Sequence, residues 1–563
     1  MRILLLAAVL VAALPAVAAE PPARATRQMV VAAHPLAAEA GLTMLRHGGT
    51  AADAAVAAQM VLSVVEPHAS GLGGGAVALH WDAAGRRLTH LDGIAAAPAR
   101  VTDTLVRDLD GGTLGVATVA RSGRAVAVPG AVALAGELHA RHGRLPWAEL
   151  MEPAIAAATQ GFPVPPYLRE VVRQRAAALR QRPALRALVL DDAGEPPPAG
   201  AVLRNPAQAE ALRLLARLGP AAIHGGPLGA ALLESAVVPP VPSLMTAEDL
   251  LAYRVRERDP VCATAFARRI CSSSPPASGG VGVLQTVIVA ERLGIAREAP
   301  ESAAAAHLFL EASRLATADR RRWLGDPDFV AVPAEGLVDA GYLADRAALV
   351  APDRSLARAA PGDPPRRRGA LPPEAAPLQE AATTHLSVID SAGNAVAMTT
   401  TNNLNFGADL VAAGFVLNNG MTNFATAPGT PEAPAQNRMQ GGKRPATTMA
   451  PAIVFGPDGA PEIVLGAGGG ARIIDAVAMA VIEMLAWNRS PGEAVARPRI
   501  GAQTGTQEVE EGTPAVALVP ALQALGHEVR PATMNTGLQV LRRDARGLEG
   551  AADPRRDGAA RGD

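Results

Sequence analysis

The sequence is poor in aromatic residues, cysteine and lysine. Its 563 residues include 4 Trp, 3 Tyr and 8 Phe, although 49% of them are apolar, so a core must consist mainly of Ala, Val, Leu and Ile. Charged residues make up only 19%, beside 55 Gly and 48 Pro. This composition excludes a disordered chain and a coiled coil, and it leaves a loop-rich globular protein.

An excess of charge of either sign is also missing. The 52 basic and 53 acidic residues give a net charge of -1, and Lys443 is the only lysine. Nucleic acids and anionic membranes attract proteins that carry an excess of positive charge. We therefore expect neither a nucleic acid nor a membrane surface as a partner.

No apolar run beyond the first 20 residues is long enough to span a bilayer. Those 20 residues contain one Arg, an apolar run from Ile3 to Leu14, then Pro15 and small residues before Glu20. This order is typical of a secretory signal peptide, and an uncleaved N-terminal anchor is the alternative. We predict a signal peptide over residues 1–19, export to the periplasm or the extracellular space, and no membrane insertion after its removal.

Export would place Cys262 and Cys271, the two cysteines, in an oxidising compartment. The segment between them alternates like two short strands that turn near Phe266 and Ala267. A disulfide and two buried thiols are both compatible with this pattern. Neither cysteine has His or Cys neighbours at the spacing of a metal site.

The hydrophobic pattern changes along the chain. Helices are predicted over residues 37–45, 51–64, most of 131–232, a stretch that begins near 281, and 472–487. Strands are predicted over residues 77–81 and in two hairpins, 386–400 and 452–465. The Pro-rich segment 351–382 has no usable period and is interpreted as a linker. A helix-rich first two thirds is thus joined to a sheet-rich last third.

A glycine cluster lies between the second hairpin and the last of these helices. Gly466, Gly468 and Ala471 fit the G-x-G-x-x-A pattern of a dinucleotide-binding turn. That unit needs a second parallel strand after the helix, whereas residues 488–491 lead into more loop. Two other interpretations remain: glycines needed for a tight turn, or backbone amides that face negative charge at a helix N-terminus, as in an oxyanion hole.

A second group of polar residues begins where the linker ends. Thr383 and Thr384 open the first hairpin strand, and Ser387, His385 and Asp390 follow. A Ser-His-Asp triad is conceivable because residues two apart on a strand share a face, but no G-x-S-x-G elbow is present. On propensity alone, Thr at the start of a strand is ordinary.

Several blocks resemble the gamma-glutamyltransferase family, in the same order along nearly the whole chain after residue 20. They are residues 32–82, SPPASGG (274–280), TTHLSVIDSAGNAVAMTTTNN (383–403), GKRPATTMAPAIVF (442–455), GAGGGARI (466–473) and GAADPRRDG (550–558). The resemblance implies an α/β (α+β) fold, the four-layer αββα sandwich of the Ntn-hydrolase superfamily, formed jointly by two pieces of one chain.

The resemblance also implies self-processing. Members of the family cut themselves before the first Thr of the TTH block, here the Ala382-Thr383 bond. The pieces would be a large subunit, 20–382, and a small catalytic subunit, 383–563, which form a heterodimer. The freed α-amine of Thr383 can act as the base for its own hydroxyl, so no metal and no organic cofactor is expected. The linker that ends at Ala382 would move away after the cut.

Roles carried over from the family fall into two sets. The catalytic set has Thr383 as nucleophile, Thr401 as the assisting hydroxyl, and Gly469 and Gly470 as oxyanion amides. The donor-binding set is Asn403, Asn423, Thr447 and Thr448. Lys443, beside the threonine pair, is expected to be structural rather than in contact with substrate.

Three positions depart from the family pattern. Ile94 stands where an Arg grips the substrate α-carboxylate, Gly420 where Gln or Glu is usual, and Asn423 where an Asp receives the α-ammonium. Segment 425–442, which would include a lid, is short and lacks Tyr. Losing a bidentate Arg-carboxylate contact should weaken glutamyl recognition.

Three functional hypotheses follow. The first is a gamma-glutamyltransferase or glutathione hydrolase that passes the acyl group to water, an amino acid or a peptide. The second is an acylase on the same scaffold, like the family's cephalosporin-acylase and capsule-processing relatives, that accepts a different amide. The third is a non-catalytic exported binding protein, which is disfavoured because Thr383, Thr401 and the glycine pair are all present.

Overall fold

The structure is a computed structural model that describes residues 22–102, 114–368, 371–374 and 382–563. The predicted signal peptide, residues 1–19, lies outside these ranges, as does part of the Pro-rich linker.

The described residues form 21 strands. The strands are β1 Ala23–Ala25, β2 Met29–Ala32, β3 Gly75–Asp82, β4 Arg87–Gly93, β5 Phe162–Pro163, β6 Val202–Leu203, β7 Arg256–Arg258, β8 Val261–Ala265, β9 Arg268–Ser272, β10 Ala382–Ile389, β11 Ala395–Asn403, β12 Val411–Ala412, β13 Phe415–Val416, β14 Ala452–Phe455, β15 Pro461–Gly468, β16 Ile500–Gly501, β17 Gln507–Glu510, β18 Val529–Ala532, β19 Gly537–Asp544, β20 Gly547–Ala552 and β21 Ala559–Gly562.

The same residues form 17 α-helices. The helices are α1 Pro35–Arg46, α2 Ala51–Val65, α3 Val116–Ala120, α4 Ala131–His142, α5 Glu152–Gln160, α6 Pro166–Leu179, α7 Pro183–Val189, α8 Pro206–Leu218, α9 Pro227–Ala236, α10 Ala247–Ala252, α11 Gly279–Arg292, α12 Ala303–Trp323, α13 Ala334–Leu337, α14 Ala340–Ala348, α15 Ile473–Ala486, α16 Pro491–Ala496 and α17 Val519–Ala524. The helices and hairpins predicted from periodicity are confirmed, with ends shifted by a few residues.

Two seven-stranded sheets form the centre of the fold. One has the order β21-β2-β10-β11-β3-β4-β7 and the other β1-β20-β19-β15-β14-β9-β8. Within each sheet, all neighbouring strands are antiparallel. Each sheet combines strands from before and after residue 382, so the two parts of the chain are interleaved rather than side by side.

Helices cover the outer face of each sheet. Helices α1 and α2 share a core with β10 and β11, and α11, α12 and α15 share another with β14 and β15. A third core, which includes Met29, Leu79, Trp81, Phe455 and Val464, lies between the two sheets. The layers are therefore helix, sheet, sheet and helix, which confirms the predicted αββα sandwich.

Helix α2 shows how an Ala-rich sequence builds this layer. All its residues from Ala51 to Val65 are buried, as expected for a helix that is apolar on all sides. Its N-terminus is closed by a capping box, in which Asp53 accepts from the backbone N–H of Thr50 at 2.8 Å. Small side chains let this helix pack closely between its sheet and neighbouring helices.

The described part of the Pro-rich linker is bound to the rest of the fold. The Gly362 N–H donates to Asp319 of α12 at 2.8 Å, and the Gly362 carbonyl accepts from Trp323 at 3.0 Å. Residues 351–368 are thus attached to α12. Proline content alone does not reveal these tertiary hydrogen bonds, and most of the rest of the predicted linker lies outside the described residues.

Two further expectations concern the cysteines and the membrane. Cys262 and Cys271 are disulfide-bonded across the β8-β9 hairpin. Among the residues described, no helix combines the length and apolarity needed to cross a bilayer.

Candidate active site

The start of β10 lies beside a bulge in β11. Thr384 pairs with Thr400, whereas Ala382 pairs with Asn403. A step of two residues on β10 therefore faces a step of three on β11. Such a bulge redirects a side chain, and here it falls at Thr401, one of the predicted catalytic residues.

Hydroxyl groups form a chain that ends on the predicted cleavage bond. Thr383 Oγ1 donates to Thr401 Oγ1 at 3.1 Å, and Thr401 Oγ1 donates to the Ala382 carbonyl oxygen at 2.5 Å. The Asn403 backbone N–H donates to Thr401 Oγ1 at 2.8 Å and fixes its orientation. The Ala382 carbonyl is thus polarised by one hydroxyl, next to the buried hydroxyl of Thr383.

The glycine cluster after β15 packs against Thr383. A Cβ on Gly468 would lie 1.8 Å from the Thr383 carbonyl oxygen, and one on Gly469 would lie 2.5 Å from Thr536 Cγ2. Gly469 and Gly470 have φ values of +133° and +66°, which favour glycine. The segment then enters α15, where backbone amides carry partial positive charge.

The directions of the strands around this cluster do not fit dinucleotide binding. Strand β15 is antiparallel to both of its neighbours, β14 and β19. A dinucleotide-binding turn requires a parallel βαβ unit. The dinucleotide interpretation is therefore excluded, and the tight-turn and oxyanion interpretations both fit the observed geometry.

The alternative Ser-His-Asp triad is only partly assembled. His385 Nε2 lies 3.0 Å from Ser387 Oγ, but its Nδ1 faces the Thr399 hydroxyl at 2.8 Å. Asp390 instead binds the Asn394 side chain and the N–H of Ala51, at 2.8 and 2.9 Å. His385 is fully buried, and burial lowers its pKa to about 3. It is a neutral core histidine, not a catalytic base.

Asn403, predicted to bind the donor, has a left-handed backbone with φ +79°. Its Nδ2 donates to Thr422 Oγ1 at 2.8 Å and to Asn419 O and Oδ1 at 3.2 Å. The bulge in β11 thus joins Thr401 to the segment that carries Gly420 and Asn423.

Asn437 links the remaining donor-binding positions. Its Nδ2 donates to the Asn423 carbonyl at 2.7 Å. Its Oδ1 accepts from the backbone N–H of Ala446, the residue before Thr447, at 2.9 Å. Thr448 Oγ1 donates to the Gly470 carbonyl at 2.9 Å. These bonds connect the predicted donor-binding residues to the predicted oxyanion glycines.

Ile94 lies in an apolar environment close to the threonine pair. It is 4% exposed and clusters with Val77, Ala277 and Met449. Ala277 forms an isolated β-bridge with Thr447, and Met449 directly follows the pair Thr447 and Thr448 in the sequence. The position where the family resemblance implies an Arg is therefore filled by apolar packing.

Of the arginines near Ile94 that the structure describes, Arg86, Arg87 and Arg444 have partners of their own. Arg86 donates to the Asp458 carbonyl at 2.9 Å, Arg87 pairs with Glu257 at 2.6 Å, and Arg100 is exposed. Arg444 is close in space, because it binds Asp92 two residues before Ile94 at 2.6 Å. Its guanidinium also donates to the carbonyl groups of Asp92 and Arg254.

Arg556 is a residue of this region to which sequence analysis gave no role. Its Nη1 donates to the Thr383 carbonyl at 2.7 Å, its Nε donates to the Asn535 carbonyl at 2.9 Å, and its guanidinium lies 4.8 Å from the Tyr167 ring centre. The charge of Arg556 also acts on the buried carboxyl group of Glu66. Burial raises the pKa of Glu66 to about 7, and the positive charge of Arg556 opposes this rise. The block 550–558 contains Arg556, but only the fold shows that it reaches Thr383.

Lys443 is completely buried. Its ammonium donates to the Gln436 carbonyl at 2.7 Å. Burial lowers the pKa of Lys443 to about 8, with a further lowering from Arg438 and an opposing effect of Asp326. This contact fits the structural role expected for the only lysine.

One group of potential metal ligands occurs among the described residues: His307, Glu311 and His527, all buried. His307 Nδ1 lies 2.7 Å from His527 Nε2. Two nitrogen ligands of a tetrahedral zinc ion, each at about 2.0 Å from the metal, would be about 3.3 Å apart. The two rings are thus arranged as a hydrogen-bonded pair.

Known proteins resemble the chain in both sequence and fold. The model of the family Gamma-glutamyltranspeptidase matches residues 37–562. The chain is 36% identical to the Acylase ACY 1 proenzyme of Pseudomonas sp. (strain V22), over 95% of this chain and 94% of that protein. It is 32% identical to the Glutathione hydrolase proenzyme of Bacillus subtilis (strain 168), over 95% and 91%.

A solved structure agrees with this match. The cephalosporin acylase from Bacillus halodurans superimposes with a TM-score of 0.83, over 99% of both chains and at 24% identity, which establishes a shared fold. Together with the family match and both relatives, this makes the protein an enzyme of the hydrolase and acyltransferase class. The chain belongs to the gamma-glutamyltranspeptidase family.

Proposed function

We propose that this protein is a self-processing enzyme that uses Thr383 to transfer an acyl group from an amide donor to water or to an amine. The observation that carries the proposal is the hydroxyl chain from Thr383 through Thr401 to the Ala382 carbonyl. The roles of these residues are otherwise those that the family resemblance implies.

Self-processing begins with attack of Thr383 Oγ1 on the Ala382 carbonyl carbon. The peptide C–N bond breaks, and the acyl group passes to the hydroxyl as an ester. Water then hydrolyses the ester, which leaves a carboxylate on Ala382 and a free α-amine on Thr383. The hydrogen bond from Thr401 stabilises the negative charge that develops on the carbonyl oxygen.

The free α-amine is the base for later turnovers. Its pKa in model peptides is about 7.7 to 8.0, so it can accept the proton of the Thr383 hydroxyl near neutral pH. The donor carbonyl then becomes an ester on Thr383, and the amine part of the donor leaves. Gly469 and Gly470 would stabilise the oxyanion, and water or an amine would release the acyl group.

We expect the two pieces to remain together as a heterodimer. In one sheet β2, β3, β4 and β7 come from the first piece, and β10, β11 and β21 from the second. The other sheet is shared in the same way. Separation would break strand pairing in both sheets and expose the core between them.

The first candidate donor is a gamma-glutamyl amide such as glutathione. Support comes from the family and from a relative named glutathione hydrolase. The acceptor would be water, an amino acid or a peptide.

The second candidate is an acylase with weakened glutamyl recognition. A specific observation favours it: Ile94 is packed against Val77, Ala277 and Met449 where an Arg would bind the α-carboxylate. The relative named acylase is consistent with it. In addition, Asn423 is neutral, so it lacks the negative charge with which an Asp at this position would attract an α-ammonium group.

Export is part of the proposal. The N-terminal segment 1–19 has the form of a signal peptide, and the Cys262-Cys271 disulfide suits an oxidising compartment such as the periplasm.

Processing is tested on a denaturing gel of the purified protein. The wild type should show two bands, corresponding to 363 and 181 residues once residues 1–19 are removed. Thr383→Ala should give a single uncut chain without activity, whereas Thr384→Ala, one residue further, should still be cut. An uncut wild type, or a cut Thr383→Ala variant, would refute the proposal.

The donor is tested with three anilides that share a leaving group: gamma-glutamyl, glutaryl and pentanoyl. Glutaryl lacks the α-ammonium group, and pentanoyl also lacks the carboxylate. A glutathione hydrolase should prefer the gamma-glutamyl compound by kcat/KM. An acylase of the second kind should prefer glutaryl or pentanoyl, and processed protein that hydrolyses none of the three would contradict both candidate donors.

A further inference from the structure

A basic groove lies outside the predicted active site. It is bordered by α3 and α6, by the turn between α6 and α7, by residues 238–241 and by the loop around residue 409, and it has a volume of about 440 Å³. The charged residues that line it are Arg121, Arg175, Arg182 and Asp409. With the carboxylate counted, this lining carries a net charge of +2.

The single carboxylate is already shared. Asp409 binds Arg121 at 3.1 Å and accepts two hydrogen bonds from Arg175 Nη2 at 2.8 Å. Arg182 has no carboxylate partner in the described part of the chain, and its Nη2 donates to the Arg121 carbonyl at 3.1 Å. Among the described residues, the groove lining thus contains more positive charge than its acid can neutralise.

Neighbouring backbone groups hold the guanidinium groups in place. Arg121 Nη1 donates to the carbonyl groups of Asn405 and Gly407 at 2.7 and 2.9 Å. The side chains of Arg121 and Arg175 are only 21% and 22% exposed. Each guanidinium has five N–H donors, and these contacts use only some of them. Fixed, partly buried donors bind an anion with little loss of side-chain entropy.

The arginines also repel one another. Burial lowers the pKa of Arg121, Asp409 opposes this, and the charges of Arg175 and Arg182 lower it further. A bound anion would offset the repulsion between these three cations. This electrostatic strain adds to the geometric case for a ligand of negative charge.

A polar layer separates the groove from Thr383. Asn419 Nδ2 donates to the carbonyl of Ala120, the last residue of α3, at 2.9 Å. On its other side, Asn419 accepts from Asn403. Helix α3 therefore faces the groove on one side and contacts the predicted donor-binding layer on the other, so the two sites are distinct.

We propose that this groove binds a small oxyanion with two negative charges, the class to which inorganic phosphate and phosphate monoesters belong. The planar donors of arginine match phosphate oxygens in paired hydrogen bonds. The groove volume suits a small ligand rather than a polymer. This site is independent of the donor chemistry proposed above.

The test measures inorganic phosphate binding to the full-length processed protein by isothermal titration calorimetry. Arg182→Gln removes the arginine without a carboxylate partner and should raise the dissociation constant about 10-fold, the effect of losing one hydrogen-bonded charge. Arg186→Gln is the matched control, because Arg186 is exposed on α7 and does not line the groove. It should bind phosphate like the wild type.

A further variant, added salt and competing anions distinguish recognition of a phosphate group from general attraction between charges. Arg182→Lys keeps the charge but loses the planar donor pair, so its affinity should lie between those of the wild type and Arg182→Gln. Binding should weaken as sodium chloride is raised, and phenyl phosphate should compete whereas acetate should not. Unchanged thermal unfolding without phosphate would establish that the variants fold.

Equal phosphate affinity in the wild type and Arg182→Gln would overturn the proposal. So would the absence of binding at millimolar phosphate in the folded wild type. If phenyl phosphate binds with a lower dissociation constant than inorganic phosphate, a phosphate monoester is the preferred ligand within the proposed class.

Discussion

The catalytic side and the donor-reading side of the predicted active site are built differently. On the first side, Thr383, Thr401 and the glycines match the residue types that the family resemblance implies, and hydrogen bonds of 3.1 and 2.5 Å join Thr383 to Thr401 and Thr401 to the Ala382 carbonyl. On the other side, Ile94 is packed in an apolar cluster, and Asn423 brings no charge. With the roles proposed above, the difference predicts that acyl transfer and donor choice are separable, because the chemistry needs a few fixed hydroxyl and amide groups whereas donor choice depends on the groups around them.

The largest effect should come from the catalytic side. Thr401→Val removes the hydroxyl that accepts from Thr383 and donates to the Ala382 carbonyl. We expect processing and turnover to fall by about 10²- to 10³-fold, as for loss of an oxyanion donor. Processing is followed by gel over time, and turnover with the anilides.

Thr400→Val is the matched control for that experiment. Thr400 is the neighbouring buried residue, and its hydroxyl donates to Gln59 at 2.8 Å instead of to the site. Near-normal processing is expected in this variant. If both variants processed equally slowly, the effect of Thr401 would be one of folding, and the two sides of the site would not be separable in this way.

A comparable but smaller loss is expected for Gly469→Ala. The added Cβ would lie 2.5 Å from Thr536 Cγ2, in a backbone of φ +133°, and would displace the predicted oxyanion amides. Activity should fall about 10²-fold. Gly512→Ala shares the positive φ, +74°, but meets no atom within 4 Å, so it should lose about 1 kcal/mol of stability and no activity. Equal activity losses in both variants would argue against a special role of Gly469.

On the donor-reading side, Ile94→Arg should change preference rather than rate. The ratio of kcat/KM for glutaryl over pentanoyl anilide should rise about 10-fold, because an Arg at this position can pair with the donor carboxylate. Ile94→Met keeps the position apolar and is the control. A fall of both activities with an unchanged ratio would mean that the buried Arg only disrupts packing, and would break the proposed separation.

A weaker effect is expected for Asn423→Asp. Its new charge should lower KM for the gamma-glutamyl anilide about 5-fold, since a partly exposed ion pair is worth about 1 kcal/mol. The glutaryl anilide has no ammonium group and should show no decrease. Steady-state kinetics with both donors measure this, and an equal decrease in both KM values would contradict the assignment.

A last effect, on stability rather than activity, concerns the strand β10 that carries Thr383. Burial lowers the pKa of His385 to about 3, below the ordinary 6.5, so the unfolded chain binds the extra proton between these values. His385 therefore contributes stability that is lost as pH falls from about 6.5 toward 3, by about 1.4 kcal/mol per pH unit.

Replacing His385 by Gln should make the decline in unfolding free energy between pH 6 and 4 less steep by that amount. Urea unfolding at several pH values measures the slope. His47→Gln is a control, because His47 is exposed on the surface. An unchanged slope in His385→Gln would mean that His385 is protonated in the folded protein.

Much of the fold was accessible from local patterns. Periodicity located α1, α2, α11 and α15 and both hairpins of the last third, because amphipathic or apolar runs bounded by Gly and Pro are local features. The resemblance supplied the αββα layers. The attachment of residues 351–368 to α12 was not predicted, since hydrogen bonds such as that from Gly362 to Asp319 join segments distant in sequence.

The candidate site shows the same division. The residue types of Thr383, Thr401 and the glycine pair could be identified in the sequence, whereas the bulge that aligns Thr401 and the contact of Arg556 with Thr383 could not. Both depend on strand register and on residues far apart in the chain.

The sequence by itself determined the membership of a family, the small-residue core, the candidate nucleophile and the Ile at position 94 where the family resemblance implies an Arg. Only the tertiary structure decided what surrounds those residues: the hydroxyl chain to Ala382, the aliphatic packing of Ile94, and the basic groove around Arg121, Arg175 and Arg182. The physical reason is range. Propensity and motif act over a few neighbouring residues, whereas desolvation, hydrogen-bond geometry and charge balance are set by groups that only folding brings together.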